Sequence, residues 1–365
     1  MNNQSNSKLD VAILGATGAV GQRFIQLLEN HPWFRVAEVI GSSRSAARSY
    51  GEAANWVLDG SPPDSVAGLT VKALEDDFES PLVFSALPKE AAETREFELA
   101  AAGHVVCTNA SANRMVADVP LLLPEANADH VQLVEIQRQK RGWKTGAIIA
   151  NSNCTAMPVV MALAPLRKFG VKKILVVSAQ AISGAGYPGV ASLDIIDNII
   201  PYVSGDEDKL ETETLRMLGK LEQEQITWLD AVVSASCNRV AVIDGHLVTV
   251  SVELEAKPTL DEILAAWHDF RGPMPVPQLP TAPEKPVQYL PQIDRPQPRR
   301  DRAAGNGMAT SVGRLRECPI LGYKFSALSH NTIRGAAGCS ILNAELLAAK
   351  GYLGNFKPVL TQAAG

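Results

Sequence analysis

Cysteine is scarce and scattered in this chain. Cys107, Cys154, Cys237, Cys318 and Cys339 form no C-x-x-C pair and no zinc-like spacing. That excludes a disulfide framework and a zinc module, and it fits free thiols in a reducing cytoplasm. No apolar run approaches the roughly eighteen residues that a membrane-spanning helix needs. The opening MNNQSNSK is polar and lacks the apolar core of a secretory signal. Charge of one sign is also in short supply: the formal balance of -5 gives no reason to expect nucleic acid or an anionic membrane as a partner. What is present is ordinary globular composition, 46% apolar and 20% charged. At 365 residues the length suits two domains, each large enough for its own core.

The beginning reads as a nucleotide-binding unit. Leu9 to Leu14 has the apolar continuity of a buried strand, GATGAVG (Gly15 to Gly21) is a glycine-rich turn, and Gln22 to Asn30 has helical spacing. Glycines there let the backbone turn tightly and approach a pyrophosphate resting on the helix N-terminus. After the next strand (Arg35 to Ile40) the chain offers Gly41, Ser42, Ser43 and Arg44, where a NAD-binding fold commonly has an Asp or Glu for the ribose. Hydroxyls and a guanidinium suit a 2′-phosphate, so NADP is expected over NAD, unless Ser42 to Arg48 is only a solvated loop. Further strands at Pro81 to Pro88 and His104 to Thr108 flank a helix from Lys89 to Ala102. Strands alternating with helices predict a doubly wound parallel sheet, with Ser85, Asn109 and Cys154 at its ligand-binding carboxyl edge.

Cys154 closes the run AIIANSNC, at the change from a strand to a helical segment, Ala156 to Phe169. Taken alone it would be read as a small buried hydrophobe. At a helix start, however, free amides and the dipole favour an anion, which is expected to lower the thiol pKa and to stabilise an oxyanion on an attacked carbonyl. Beyond it the alternation changes to longer strands, Lys173 to Ala181, Ala231 to Val242 and His246 to Glu255, expected to form a mostly antiparallel second sheet. Between the first two lies the glycine-dense ISGAGYPG, Ile182 to Gly189. Asp244-Gly245 is a hairpin signal. It would set Ile243 opposite His246 and place Arg239 and His246 on one face, about 13 Å apart along the ribbon. Histidine exchanges protons near neutral pH, and arginine grips a carboxylate in a fork. His31, His104, His130, His268 and His330 have no comparable setting. Pro273 to Pro298 is expected to run over the surface or a partner subunit, and Ala336 to Ala349 to form a helix returning to the first domain.

These motifs, GATGAVG, the Ser-Ser-Arg stretch, NASANRMVADVPLLLPEAN, NSNCTA, QAISGAGYPG, NRVAVIDGH and NGMATSVGRLR, resemble aspartate-semialdehyde dehydrogenase of the branch typical of archaea and fungi, from about Asp10 to Ala349. The resemblance implies a Rossmann-like NADP-binding domain, residues 1–153 plus 340–365, and an α+β catalytic and dimerisation domain, residues 154–339. It implies a cytoplasmic homodimer or homotetramer. The implied reaction is reductive dephosphorylation of aspartyl phosphate to the semialdehyde, serving lysine, threonine and methionine biosynthesis, through a thioester on Cys154. His246 would be general acid and base, Gln180 would orient the acyl group, Arg239 would hold the α-carboxylate, Arg114 and Lys209 would bind phosphate, and Asn153 would help cap the nucleophile helix. Cofactor contacts would fall on Gly15, Thr17, Gly18, Ala19, Val20, Ser42, Ser43, Arg44, Ser85, Ser183, Gly184 and Asn343. One departure concerns the substrate ammonium: the family's glutamate is replaced by Asp206, leaving either that residue or Glu207 for the role. A relative that reduces a coenzyme A thioester, such as a malonyl-CoA reductase, would keep Cys154 and His246 and dispense with the phosphate site. A non-catalytic NADP-binding protein would keep the fold with an unreactive Cys154.

Overall fold

The computed structural model describes residues 8–360; the polar segment 1–7 and the residues 361–365 assigned above to the first domain lie outside the described residues. Chain order in the first lobe is β1 (Leu9–Leu14), α1 (Ala19–Leu28), β2 (Phe34–Ile40), α2 (Tyr50–Ala53), α3 (Asp64–Ala67), β3 (Val71–Lys72), β4 (Leu82–Ser85), α4 (Lys89–Ala102), β5 (Val105–Thr108), β6 (Leu121–Leu122), α5 (Pro124–Asn127), α6 (Leu133–Arg141) and β7 (Ala147–Asn151). All seven strands are parallel, in the order β3-β2-β1-β4-β5-β7-β6. Alternate residues feed opposite faces. Val11, Ile13, Leu82 and Phe84 join a core with Phe24 and Ile25 of α1, while Ala12, Leu14 and Val83 join one with Leu99 and Ala100 of α4. Burial on both faces explains why these strands read as continuous apolar runs. The chain reverses direction between β1 and β4, which opens a crevice at their carboxyl ends.

Helix α1 starts three residues earlier than the spacing predicted, because Gly18 in extended conformation serves as its N-cap. Gly15 has φ +72°, and a Cβ there would lie 2.7 Å from the carbonyl oxygen of Ala86. A Cβ on Gly21 would lie 2.3 Å from the Gly15 oxygen. The glycines are therefore needed for the turn and for the close helix–strand approach.

The second lobe contains α7 (Ala156–Leu163), β8 (Val171–Gln180), α8 (Ser192–Ile195), α9 (Asp206–Met217), a small ribbon of β9 (Lys220–Glu222) and β10 (Gln225–Thr227), β11 (Val232–Arg239), β12 (His246–Leu254), α10 (Leu260–Asp269), β13 (Val287–Leu290), α11 (Pro298–Asp301), β14 (Thr310–Cys318) and β15 (Gly322–Ser329). A turn of π-helix, Ile333–Ala337, leads into α12 (Gly338–Ala349). The six-stranded sheet runs β11-β8-β12-β15-β14-β13 and is antiparallel except at its two ends, where β11 pairs with β8 and β13 with β14 in parallel.

The expected hairpin between β11 and β12 is not formed. The turn at Asp244-Gly245 exists, with Gly245 at φ +102°, but β8 lies between the two strands and pairs with both. The inner face of the sheet, with Val176, Val250 and Phe325, packs on Met157 and Val160 of α7 and Trp267 of α10. Its outer face leaves Leu175, Val177 and Val232 exposed at 44%, 52% and 67%.

Helix α12 returns to the first lobe as expected, placing Ile341, Leu342 and Leu346 in the core with α1. The proline-rich stretch is pinned to that helix. The Thr281 amide and hydroxyl donate to Glu345, which also meets His31 Nε2 at 2.7 Å. No helix among the described residues is long and apolar enough to cross a membrane.

Candidate active site

A cavity of about 750 Å³ lies between the lobes, and Cys154 opens into it. The other four thiols are buried. The cysteine sits on an elbow between β7 and α7, held by Asn153. The Asn153 side-chain oxygen accepts from the amides of Thr155 (2.8 Å) and Ala156 (3.3 Å), capping the helix as an Asn N-cap does. Asn151 anchors the strand side, its Nδ2 donating to Asn109 Oδ1 at 2.8 Å and to the Ala336 carbonyl at 3.0 Å. Gly335, in the π turn, forms the wall behind the thiol: a Cβ there would lie 2.6 Å from that of Cys154.

Strand β8 sets the opposite wall. Gln180 ends it, Arg239 pairs with Gln180 across β11, and His246 precedes Leu247, the partner of Ala179 on β12. Three adjacent strand ends thus present Arg239, Gln180 and His246 side by side, and no 13 Å offset along a shared ribbon exists. The backbone of one residue orients the outer two. The Ala181 amide donates to His246 Nδ1 at 3.1 Å, and its carbonyl accepts from Arg239 Nη1 at 2.7 Å. Gly184 leans on both, since a Cβ there would lie 2.7 Å from Arg239 Nη1 and 3.0 Å from His246 Nε2.

Because an amide N–H can only donate, His246 Nδ1 is an acceptor, and the neutral ring carries its proton on Nε2. That nitrogen is buried, without a partner among the described residues. Burial, then Arg239 and His330, push the histidine down to about 3. His330 is therefore close enough to be felt at the site, which its sequence setting did not reveal.

Helix α9 lays a charged face against the elbow. Asp206, Lys209 and Glu213 recur at i, i+3 and i+7. The Asp206 carboxylate accepts from Asn153 Nδ2 (3.1 Å), Gln180 Nε2 (3.0 Å) and Lys209 Nζ (3.3 Å). Glu207 points elsewhere: it accepts the Cys237 amide at 2.9 Å and does not line the cavity. As a candidate ligand it is replaced by Asp206. Glu213 is buried, accepting from Arg114 Nη1 at 3.1 Å and from the Asn153 amide at 2.5 Å. Sequence reasoning missed it, although its spacing from Asp206 was the available signal.

The expected depression of the Cys154 pKa is reversed. Burial, reinforced by Asp206, pushes the thiol up to about 11 against the opposing pull of Arg114 and Arg239. The helix start does not offset the loss of water.

On the first-lobe side Ala19, Val20, Arg23, Val57 and Leu87 line the cavity, facing Ser183 and Gly184. Tyr187 reaches across, its hydroxyl accepting from Asn55 Nδ2 at 3.4 Å. Ser42, Ser43 and Arg44 are exposed beyond the end of β2. The Ser85 hydroxyl is turned into the core, donating to Glu96 at 2.7 Å, so its side chain is not presented to the cavity. Asn343 is buried on α12, with neither side-chain amide atom partnered among the described residues.

Residues 10–134 match the family model described as semialdehyde dehydrogenase, NAD binding domain, and residues 163–334 the model described as semialdehyde dehydrogenase, dimerisation domain. An aspartate-semialdehyde dehydrogenase of Archaeoglobus fulgidus is 47% identical over 341 residues, covering 93% of this chain and 98% of the relative. One of Schizosaccharomyces pombe is 43% identical, covering 94% and 99%. The crystal structure of the Candida albicans aspartate-semialdehyde dehydrogenase with NADP superposes with a TM-score of 0.87 at 40% identity, covering 95% of this chain and all of that one. The chain with the capped Cys154 elbow and the Arg239, Gln180, His246 row therefore belongs to the aspartate-semialdehyde dehydrogenase family.

Proposed function

We propose that the protein is an NADP-dependent, phosphorylating aspartate-semialdehyde dehydrogenase, reducing aspartyl phosphate to the semialdehyde that lysine, threonine and methionine biosynthesis draw on. The observation that carries this is the joint presence of Cys154, Gln180, Arg239, Asp206, Arg114 and Lys209 on one cavity. Arg239 suits the α-carboxylate, Asp206 the ammonium, and Arg114 with Lys209 and Asn153 the phosphate; an acyl carbon held among them faces the thiol.

The Cys154 sulfur attacks that carbon while His246 Nε2–H and the Gln180 amide are available to its oxygen. The tetrahedral species collapses with loss of phosphate, leaving a thioester on Cys154. In net terms the thiol proton leaves on the phosphate, and His246, with Nδ1 taken by the Ala181 amide and its proton on Nε2, serves as a hydrogen-bond donor to the oxygen of the tetrahedral species. Asp206, which already accepts from Gln180 and Asn153, keeps both amides oriented as the substrate enters.

NADPH, when bound, supplies the hydride that releases the aldehyde. The residues fit it. Gly15 and Gly21 allow the tight turn before α1, Thr17 to Val20 begin that helix, and Ser42 to Arg44 suit a 2′-phosphate. The space beside Ser183 and Gly184 favours a planar group, while Asn343, buried and unpartnered among the described residues, does not line that cavity. The division into residues 1–153 with 340 onward and residues 154–339 follows the return of α12. The exposed face of β8 and β11 is read as the homodimer contact.

The test is NADP reduction with aspartate semialdehyde, with and without inorganic phosphate. Turnover that requires phosphate is expected. No turnover in either case, with NADPH oxidation by malonyl-CoA instead, would transfer the protein to thioester reduction. No turnover with any of these alongside tight NADP binding would leave a non-catalytic binder.

A further inference from the structure

Glu213 touches no cavity volume, yet it holds two groups that do. The residue is 1% exposed, and its two carboxylate oxygens are divided between Arg114 Nη1 (3.1 Å) and the backbone amide of Asn153 (2.5 Å). The other arm of the Arg114 guanidinium, Nη2, donates to the Asn109 carbonyl at 2.8 Å, so the fork is fixed from both sides. Asn109 in turn accepts from Asn151, at the end of the strand leading to Cys154. The Asn153 amide belongs to the residue whose side chain caps the nucleophile helix. A carboxylate buried between a guanidinium and an amide is costly unless both bonds are kept, because each would otherwise leave an unpaired polar group away from water.

We propose that Glu213 is the positioning residue of the phosphate subsite: it aims Arg114 into the cavity and ties that aim to the elbow presenting Cys154. The inference rests on the phosphorylating reading above. Glu213 sets the angle of the guanidinium and does not touch the ligand. A neutral amide of the same shape keeps the volume and places an N–H against one of two donors. The consequence is specific: phosphate affinity suffers, and cofactor affinity does not, because the groups that Glu213 holds, Arg114 and the Asn153 amide, are none of those read as holding the cofactor.

The test compares wild type with Glu213→Gln and Glu213→Asp by two readouts. One is the KM for inorganic phosphate in the oxidative direction, beside the KM for semialdehyde and the Kd for NADP by fluorescence. The other is protection of Cys154 from iodoacetamide by phosphate alone, without turnover. For Glu213→Gln, the phosphate KM and the half-protecting phosphate concentration are expected to rise about tenfold or more, the usual scale for losing a charge-assisted hydrogen bond. NADP Kd should stay within about twofold, and the shorter carboxylate of Glu213→Asp should recover part of the phosphate effect. A folded Glu213→Gln with unchanged phosphate dependence beside a phosphate-responsive wild type would overturn the inference. So would equal losses for phosphate, semialdehyde and NADP, the pattern of general damage. A wild type indifferent to phosphate in both readouts would remove the phosphorylating reading, and this inference with it.

Discussion

Two fields of opposite sense meet at the Cys154 sulfur. The amides of Thr155 and Ala156, which would serve an anion, are already occupied by the Asn153 side-chain oxygen, while burial of the sulfur and the nearby Asp206 carboxylate disfavour a thiolate. The resting side chain is therefore a thiol. A thiol held at about 11 stays protonated through neutral pH. Its alkylation by iodoacetamide in the ligand-free enzyme should accelerate about tenfold per pH unit between pH 7 and 10, the slope expected below a pKa. A rate already on a plateau near pH 7 would mean a preformed thiolate and contradict this account. The position of Cys154 on the elbow was legible from its placement after an apolar run and before helical spacing. The thiol pKa was not, because desolvation and the carboxylate come from α9, distant in sequence. The same distance left Asp206 and Glu207 unresolved until the helix phase turned one toward Gln180 and the other toward Cys237.

Among the elements, local signals succeeded where the structure is local. Helix α4 has the bounds its spacing predicted, ending at Gly103 with φ +108°, a left-handed stop that glycine adopts without strain. The parallel sheet followed from strands alternating with helices. The β11–β12 hairpin failed because a turn signal fixes the reversal of the chain and not the identity of the neighbouring strand. Here β8 inserts, gaining a parallel partner on one side and an antiparallel one on the other. That insertion is what brings Gln180 between Arg239 and His246. The π turn before α12 was equally hidden: the expected helix began at Ala336, within the turn Ile333–Ala337. Such turns recur at functional sites. This one presses Gly335 onto Cys154, so Gly335→Ala must displace the cysteine: a Cβ 2.6 Å from that of Cys154 has no room. Turnover should fall by roughly a hundredfold, the scale of a misplacement near 1 Å. NADP affinity should hold near its original value. Full activity in a folded Gly335→Ala would show that the elbow tolerates the shift.

At the scale of the molecule, the same strands serve two surfaces. Strand β8 ends in Gln180 within the cavity, while Leu175 and Val177 on its outer face are exposed beside Val232 of β11, the strand that ends in Arg239. An apolar sheet face of this kind is unusual on a lone protomer. It falls within residues 163–334, which match the model described as a dimerisation domain. A second copy seated there would fix the pitch of β8 and β11 and, through them, the spacing of Gln180 and Arg239. Val177→Asp places a carboxylate in that face, where burial without a partner costs several kcal/mol. Light scattering after size exclusion should then report the mass of one chain in place of two. Semialdehyde KM should rise as the Arg239 strand loses its support, while the first-lobe crevice keeps its NADP affinity. An unchanged mass in Val177→Asp would place the contact elsewhere. A monomer with undiminished activity would show that the strand ends hold their spacing without the partner, leaving the Ala181 backbone, whose N–H and C=O bind His246 and Arg239, as sufficient.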